Sequence, residues 1–207
     1  MKQITGTKQK ILDTAERLFG ERGYDGTSLR HIIAEAGVNL AAVHYHFGSK
    51  QELLDEVVLR KAGPVNEARL ALLDRIEAEA GRRPPAVEKV LEAFLGPMVE
   101  SAERNPQFVR LMGRMHAEGL IPGILRKHFQ PAASRFLAAL RRALPGLSEQ
   151  EFLWRMHFMI GAMAHTMCRS PEFPGAAAGD VRSRIARLVV FLSAGFRAPA
   201  PRLRRSR

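Results

Sequence analysis

The chain carries a single cysteine, Cys168, in 207 residues. One thiol forms no intramolecular disulfide and no Cys-based zinc site, which excludes stapled secreted scaffolds and zinc ribbons and fits a reducing compartment. Aromatic side chains are also scarce, at 7%. The longest apolar runs, 156–168 and 188–196, fall short of the ~20 residues that a bilayer span requires, and His157 and His165 interrupt the first. In the opening stretch MKQITGTKQKILDTAERLF, charges break every apolar run before it reaches the length of a signal-peptide core, so a cytoplasmic protein without a membrane partner is expected. No window alternates apolar and polar residues strictly, as a half-buried strand would. What is present is a 46% hydrophobic composition, enough to bury a core, and a net charge of +11.

An excess of basic residues favours a polyanionic partner and says nothing about fold. Residues 1–50 hold seven basic and five acidic side chains, a net of +2, and residues 51–196 hold a net of +4. The last eleven residues hold five arginines and no acid. That tail, 197–207, contains two prolines, lacks apolar periodicity and is expected to be disordered, as a solvated end or an auxiliary phosphate-binding arm.

Helical periodicity runs through nearly all the rest, and about nine helices are expected. Ile11, Leu12, Ala15, Leu18 and Phe19 make one buried stripe that stops at Gly23. Thr27 and Ser28 offer a cap for a short second helix that ends at Gly37, and Asn39 caps a third of barely two turns, 40–46. Ser49 caps a long fourth helix, which Pro64 is expected to kink. Proline and glycine then punctuate a fifth helix over 87–102, a sixth over 108–118, a seventh ending near Leu144, an eighth over 149–169 and a ninth over 181–196.

The spacing of helices two and three is that of a helix-turn-helix. The run TSLRHIIAEAGVNLAAVHYHFGSKQELL, 27–54, resembles the TetR/AcrR family of transcriptional regulators in helix lengths, glycine positions and its Tyr-His-Phe-x-Ser-Lys ending. The later stretches Glu67-Ala68-Arg69-Leu70 and Leu144-Pro145-Gly146-Leu147, with Asn39-Leu40-Ala41-Ala42-Val43, are similar to the PsrA-type branch. The resemblance implies an all-α protein with a DNA-binding domain at 1–50 and a ligand-binding and dimerisation domain at 51–196. It implies no catalytic activity and no cofactor, and a homodimer formed through helices eight and nine.

Each residue of the motif also has a physical task. Ala41 and Ala42 keep helix three slim enough to approach a major-groove floor, and Leu40 with the alanine methyls suits thymine methyls. Asn39 and His44 are the side chains able to hydrogen-bond base edges, although Asn39 is equally suited to capping alone. Tyr45 and His46 are placed for phosphate oxygens, and Lys50 adds a cation beside a helix N-terminus. Thr27, Ser28 and Arg30 are expected to hold the opposite backbone, unless Thr27 or Ser28 only caps helix two. Val38, Val43 and Phe47 are expected in the core. His44 stands where many relatives have tyrosine, and an imidazole makes its contact sensitive to pH.

No metal or nucleophile spacing appears. His44 and His46 are two apart and point to different sides of a helix, and Gly48-Ser49-Lys50 lacks the upstream glycine and strand of a phosphate loop. Seven of the eight methionines lie in helices five to eight. They are either core filler or, with Leu95, Met98, Phe108, Met112, Met115, Phe136, Phe158, Met159 and Met163, the lining of a pocket for an apolar ligand such as a fatty acyl compound. Arg114, His116 and His157 are candidates for its polar head group. Small residues Gly161, Ala162 and Ala164, and the stripe Ile185, Leu188, Val189, Leu192 and Phe196, suit a four-helix dimer interface or the closing of the monomer core. The expected function is a repressor that leaves a palindromic double-stranded DNA operator when a small effector binds. The alternative is a regulator that binds DNA constitutively.

Overall fold

The computed structural model describes residues 2–117, 119, 123, 128–167 and 180–201. Among them are nine helices and no strand: α1 (Lys2–Arg22), α2 (Leu29–Ala36), α3 (Leu40–Phe47), α4 (Lys50–Ala80), α5 (Val87–Arg104), α6 (Pro106–Ala117), α7 (Gln130–Ala143), α8 (Glu149–Met167) and α9 (Val181–Arg197). The segment expected to link helices eight and nine, 170–179, and the end of the basic tail, 202–207, lie outside the described residues. No described helix is long and apolar enough to cross a membrane.

The helix ends follow local chemistry. Ser28 Oγ accepts the His31 N–H at 3.2 Å at the start of α2, and Gly37 closes that helix in the left-handed region at φ 64°. Ser49 Oγ accepts the Glu52 N–H at 3.1 Å, capping the start of α4, and donates to Glu52 Oε2 at 2.8 Å. Asp180 Oδ1 accepts the Ser183 N–H at 2.6 Å at the start of α9. That hydrogen bond holds the Asp180 carboxyl below the ordinary aspartate range. Pro64 lies within α4, which is continuous through it.

The chain divides into two compact units, 1–67 with 100–131, and 68–99 with 132–207. They do not follow the division at residue 50 expected from the sequence, because α6 and the first half of α4 belong with the helix-turn-helix. In the first unit α1 packs against α2, α3 and α6. Its stripe of Ile11, Leu12, Ala15, Leu18 and Phe19 is buried, as are Ile32, Val43 and Phe47 opposite it, and Leu53, Leu54, Val57 and Val58 of α4 complete the core. Gly20 lets α6 approach closely, since a Cβ there would lie 3.1 Å from the Gln107 carbonyl oxygen. α4 is tied to α1 by Arg60, which pairs with Asp13 at 2.7 Å and with the buried Glu16 at 2.5 Å. Residue 128 is held to α4 as well, by Asn66 Nδ2 donating to its carbonyl at 3.1 Å.

The second unit buries Val90, Leu91 and Leu95 of α5, Phe136, Ala139 and Leu140 of α7, and Phe152 and Met159 of α8. The α9 stripe of Ile185, Leu188, Val189, Leu192 and Phe196 is part of this core. It closes the protomer, so it is unavailable for the interface that was one of its two expected uses. Arg155 is buried beside it, and its Nη1 donates to the Phe196 carbonyl at 2.6 Å near the end of α9. The exposed apolar face of these helices is a different one: Leu153, Trp154 and Phe158 on α8, and Val190 and Phe191 on α9.

Candidate nucleic-acid interface

α3 is eight residues long and strictly two-sided. Val43 and Phe47 are buried against the first unit's core, while Leu40 is 52% exposed and Tyr45 79% exposed. Ala41 and His44 are exposed between them, so Leu40, Ala41, His44 and Tyr45 form one outward stripe at helical spacing. His46 is half-buried, with its ring edge-on to Tyr45 at 5.1 Å. Asn39 Oδ1 accepts the Ala42 N–H at 2.8 Å. Its carbonyl oxygen is therefore engaged in capping, which leaves the amide N–H groups as the free part of the side chain for any partner.

Thr27, Ser28 and Arg30, around the start of α2, are not equivalent. Arg30 is exposed, and Ser28 is half-buried as the α2 cap. Thr27 is only 1% exposed, with Oγ1 lying 2.8 Å from the Gly23 carbonyl and 3.1 Å from the Leu18 carbonyl. The expected backbone contact by Thr27 is corrected by this geometry, because its hydroxyl is enclosed and satisfied inside the domain. Lys50, at the first position of α4, places Nζ 4.0 Å over the Tyr24 ring, and Tyr24 in turn packs on Phe19 with centroids 5.8 Å apart. Tyr24 escaped the sequence reading because nothing in its local pattern links it to a lysine 26 positions away.

Gly48, ahead of the Ser49 cap, takes an unusual conformation. With φ 71° and ψ −64°, and with the Ser49 N–H donating to the Phe47 carbonyl at 2.7 Å, it forms a γ-turn of a kind that side chains resist. The Gly48 N–H donates to the His44 carbonyl at 3.1 Å, and His44 Nδ1 lies 3.0 Å from the Gly48 carbonyl.

The residues expected to line an effector pocket are divided between the units. Phe108, Met112 and Met115 belong to the core of the first unit, around the helix-turn-helix. Leu95, Met98, Phe136, Met159 and Met163 gather in the second. Phe158 is 62% exposed, and the His116 side chain lies outside the described residues. A small cleft in the second unit is lined by Arg69, Leu73, Phe94 and Phe136 among others. Phe94 stacks on Phe136 at 4.1 Å, and the Arg69 guanidinium lies 4.0 Å over Phe94 while its Nε donates to the Phe94 carbonyl at 2.8 Å. Burial lowers the Arg69 pKa to about 10. Among the described residues, no three His, Cys, Asp or Glu side chains come together as a metal site.

A slim, two-sided helix set behind a capped turn on a three-helix core, with a separate helical unit following, defines a helix-turn-helix regulator. Residues 11–57 match the bacterial regulatory proteins of the tetR family, and residues 92–195 match the tetracyclin repressor-like C-terminal domain. The chain belongs to the TetR family of DNA-binding transcriptional regulators. Over 51 residues it is 43% identical to IcaR, the HTH-type negative transcriptional regulator of the icaADBC biofilm operon in Staphylococcus aureus (strain Newman). That match covers 25% of this chain and 27% of IcaR, so it spans about a quarter of each. The fold is shared along nearly the whole chain with a TetR-like transcriptional regulator from Rhodococcus sp. RHA1, with a TM-score of 0.63, 18% identity, and coverage of 91% of this chain and 94% of that one. It is likewise shared with HlyIIR, a hemolysin II transcriptional regulator, with a TM-score of 0.61, 22% identity, and coverage of 92% and 98%.

Proposed function

We propose that the protein is a homodimeric repressor that places α3 of each protomer in successive major grooves of a near-palindromic operator. The observation that carries the reading is the outward stripe of Leu40, Ala41, His44 and Tyr45 on a helix whose other face is sunk in the core. Arg30, Tyr45, His46 and Lys50 serve the phosphates on either side, and a negative regulatory role follows the relative IcaR. One such reader contacts too few base pairs for specificity, and a two-fold dimer with half-sites one DNA turn apart supplies the rest. The dimer face is the apolar one left uncovered on α8 and α9, which includes Phe158 and Val190, with the exposed Gly161 on α8 as a small residue suited to close approach.

The effector is a small apolar or amphipathic molecule taken into the second unit among Leu95, Met98, Phe136, Met159 and Met163. It acts through α4, which supplies residues to both units. An acyl compound is one class that suits this adaptable, methionine-containing lining. Phe108, Met112 and Met115 drop out of this lining because they seal the other core.

Selection of binding sites from random DNA, with light scattering on the complex, tests the reading. A two-fold symmetric site bound by one dimer is expected, and Phe158→Glu combined with Val190→Glu is expected to give monomers that lose the symmetric site. A monomeric wild type bound to an asymmetric site would sink it. Operator-release assays with fatty acids, acyl-CoAs and aromatic compounds test the effector, and a protein that no compound shifts or releases is the constitutive regulator instead.

A further inference from the structure

We infer that His44 reads an exocyclic amino group in the major groove, the N4 amino of cytosine or the N6 amino of adenine, through an Nε2 that is held as a hydrogen-bond acceptor. The starting point is the double clasp between residues 44 and 48. The Gly48 N–H donates to the His44 carbonyl at 3.1 Å, and His44 Nδ1 meets the Gly48 carbonyl at 3.0 Å. A carbonyl oxygen has no proton to give, so Nδ1 is the donor in that contact and carries the ring proton. In neutral imidazole the other nitrogen then has a lone pair and no hydrogen. Nε2 lies on the ring edge away from the clasp, on a residue exposed within the outward stripe of α3.

The complementarity follows from the chemistry of the duplex. Phosphate oxygens, guanine O6 and N7, adenine N7 and thymine O4 all accept hydrogen bonds, and an acceptor facing them gains nothing. The donors on the major-groove edges are the amino groups of cytosine and adenine. A tyrosine at this position has an O–H to give to a phosphate. With its one proton engaged by the Gly48 carbonyl, a neutral imidazole in this place has none to give a phosphate and offers an acceptor to a base edge instead. The clasp exists because of Gly48, whose γ-turn brings its N–H to the His44 carbonyl and its own carbonyl to the His44 ring. The Glu52 carboxylate beside this turn is occupied by the Ser49 hydroxyl at 2.8 Å, and the neighbours on α3 itself are Tyr45 and His46.

The inference rests on α3 entering the major groove, and the experiment separates the two. Binding sites are selected from random DNA at about pH 8, where an imidazole is neutral, with the full-length wild type and with His44→Ala. One base pair in each half-site is expected to be preferred by the wild type by about 5- to 10-fold, as for one base contact, in the orientation that puts its amino group opposite Nε2. His44→Ala is expected to lose that preference while every other position keeps its own. The base selected distinguishes the two amino groups. An analogue lacking the amino group at that position should weaken the wild type and leave His44→Ala unaffected. Nitrogen NMR of the free protein is expected to place the ring proton on Nδ1. A proton on Nε2, undiminished wild-type binding to the analogue lacking the amino group, or an equal loss on all sequences would overturn the inference while leaving the groove reading intact. A wild type without any sequence preference would overturn both.

Discussion

Replacing Thr27 with valine should weaken the fold of the first unit while leaving the folded protein's affinity for DNA unchanged. Valine has nearly the shape of threonine, so at a site only 1% exposed it opens no cavity. What it removes is the hydroxyl that lies 2.8 Å from the Gly23 carbonyl and 3.1 Å from the Leu18 carbonyl, at and just beyond the last turn of α1. A net hydrogen bond contributes about 0.5–1.5 kcal/mol, and a buried carbonyl left without it adds a desolvation cost, for a total of about 1.5–3 kcal/mol. For a chain of this size that corresponds to a fall in Tm of about 4–10 °C. Circular dichroism melts measure the stability, and operator titrations at about 10 °C, well below the transition, measure affinity on protein that is folded. A phosphate contact makes the opposite forecast. A variant that melts within about 1 °C of the wild type but binds about tenfold more weakly would refute the structural role assigned to Thr27.

Gly48→Ala forces a side chain into a conformation that costs about 1–3 kcal/mol and sets its Cβ 2.6 Å from Glu52 Oε2, so urea denaturation should find it clearly destabilised and its operator affinity lowered; unchanged stability would show that the γ-turn is not maintained. Lys50→Ala removes a cation held 4.0 Å over Tyr24, and should weaken binding to operator and random DNA alike and reduce the salt slope by about one charge per protomer, whereas an unaltered slope places Lys50 away from the backbone. Asp180→Asn preserves a capping oxygen and removes a charge. Because the folded carboxyl sits below the ordinary aspartate range, its contribution is complete above about pH 4 and is lost as pH falls through the depressed value. The Tm gap between wild type and variant should therefore begin to narrow as pH falls through about 4 and keep narrowing below it, and a gap that is constant with pH would rule out the charged cap.

The elements that were legible in the sequence are those governed by near neighbours. The caps at Ser28, Asn39 and Ser49, the stop at Gly37 and the buried pair Val43 and Phe47 follow from hydroxyls, amides and apolar residues within a turn of one another. The exposed stripe on α3 follows from the same periodicity, once its opposite face is known to be apolar. Less legible were side chains with two suitable partners. A threonine ahead of a helix serves a phosphate or a pair of carbonyls equally well in one dimension, and only the end of α1 beside it decides. Tyr24 under Lys50 and the carbonyl of Gly48 at His44 are of the same kind, because each depends on how the chain turns between the partners.

Periodicity and end signals, acting over a few residues, were thus enough to outline the nine helices of the described residues and the helix-turn-helix, while the resemblance of the run 27–54 carried the family. Which apolar stripe covers which was decided only in three dimensions. α6, with Phe108, Met112 and Met115, has the composition of a pocket wall, and it instead seals the core of the first unit with Phe108, Leu111 and Met115. The α9 stripe suits a partner subunit or its own protomer equally, and it is its own protomer that buries it, leaving Val190 and Phe191 exposed on another side. The physical reason is that apolar burial is non-directional. A stripe records that something must cover it, and the long-range packing of the whole chain selects the cover.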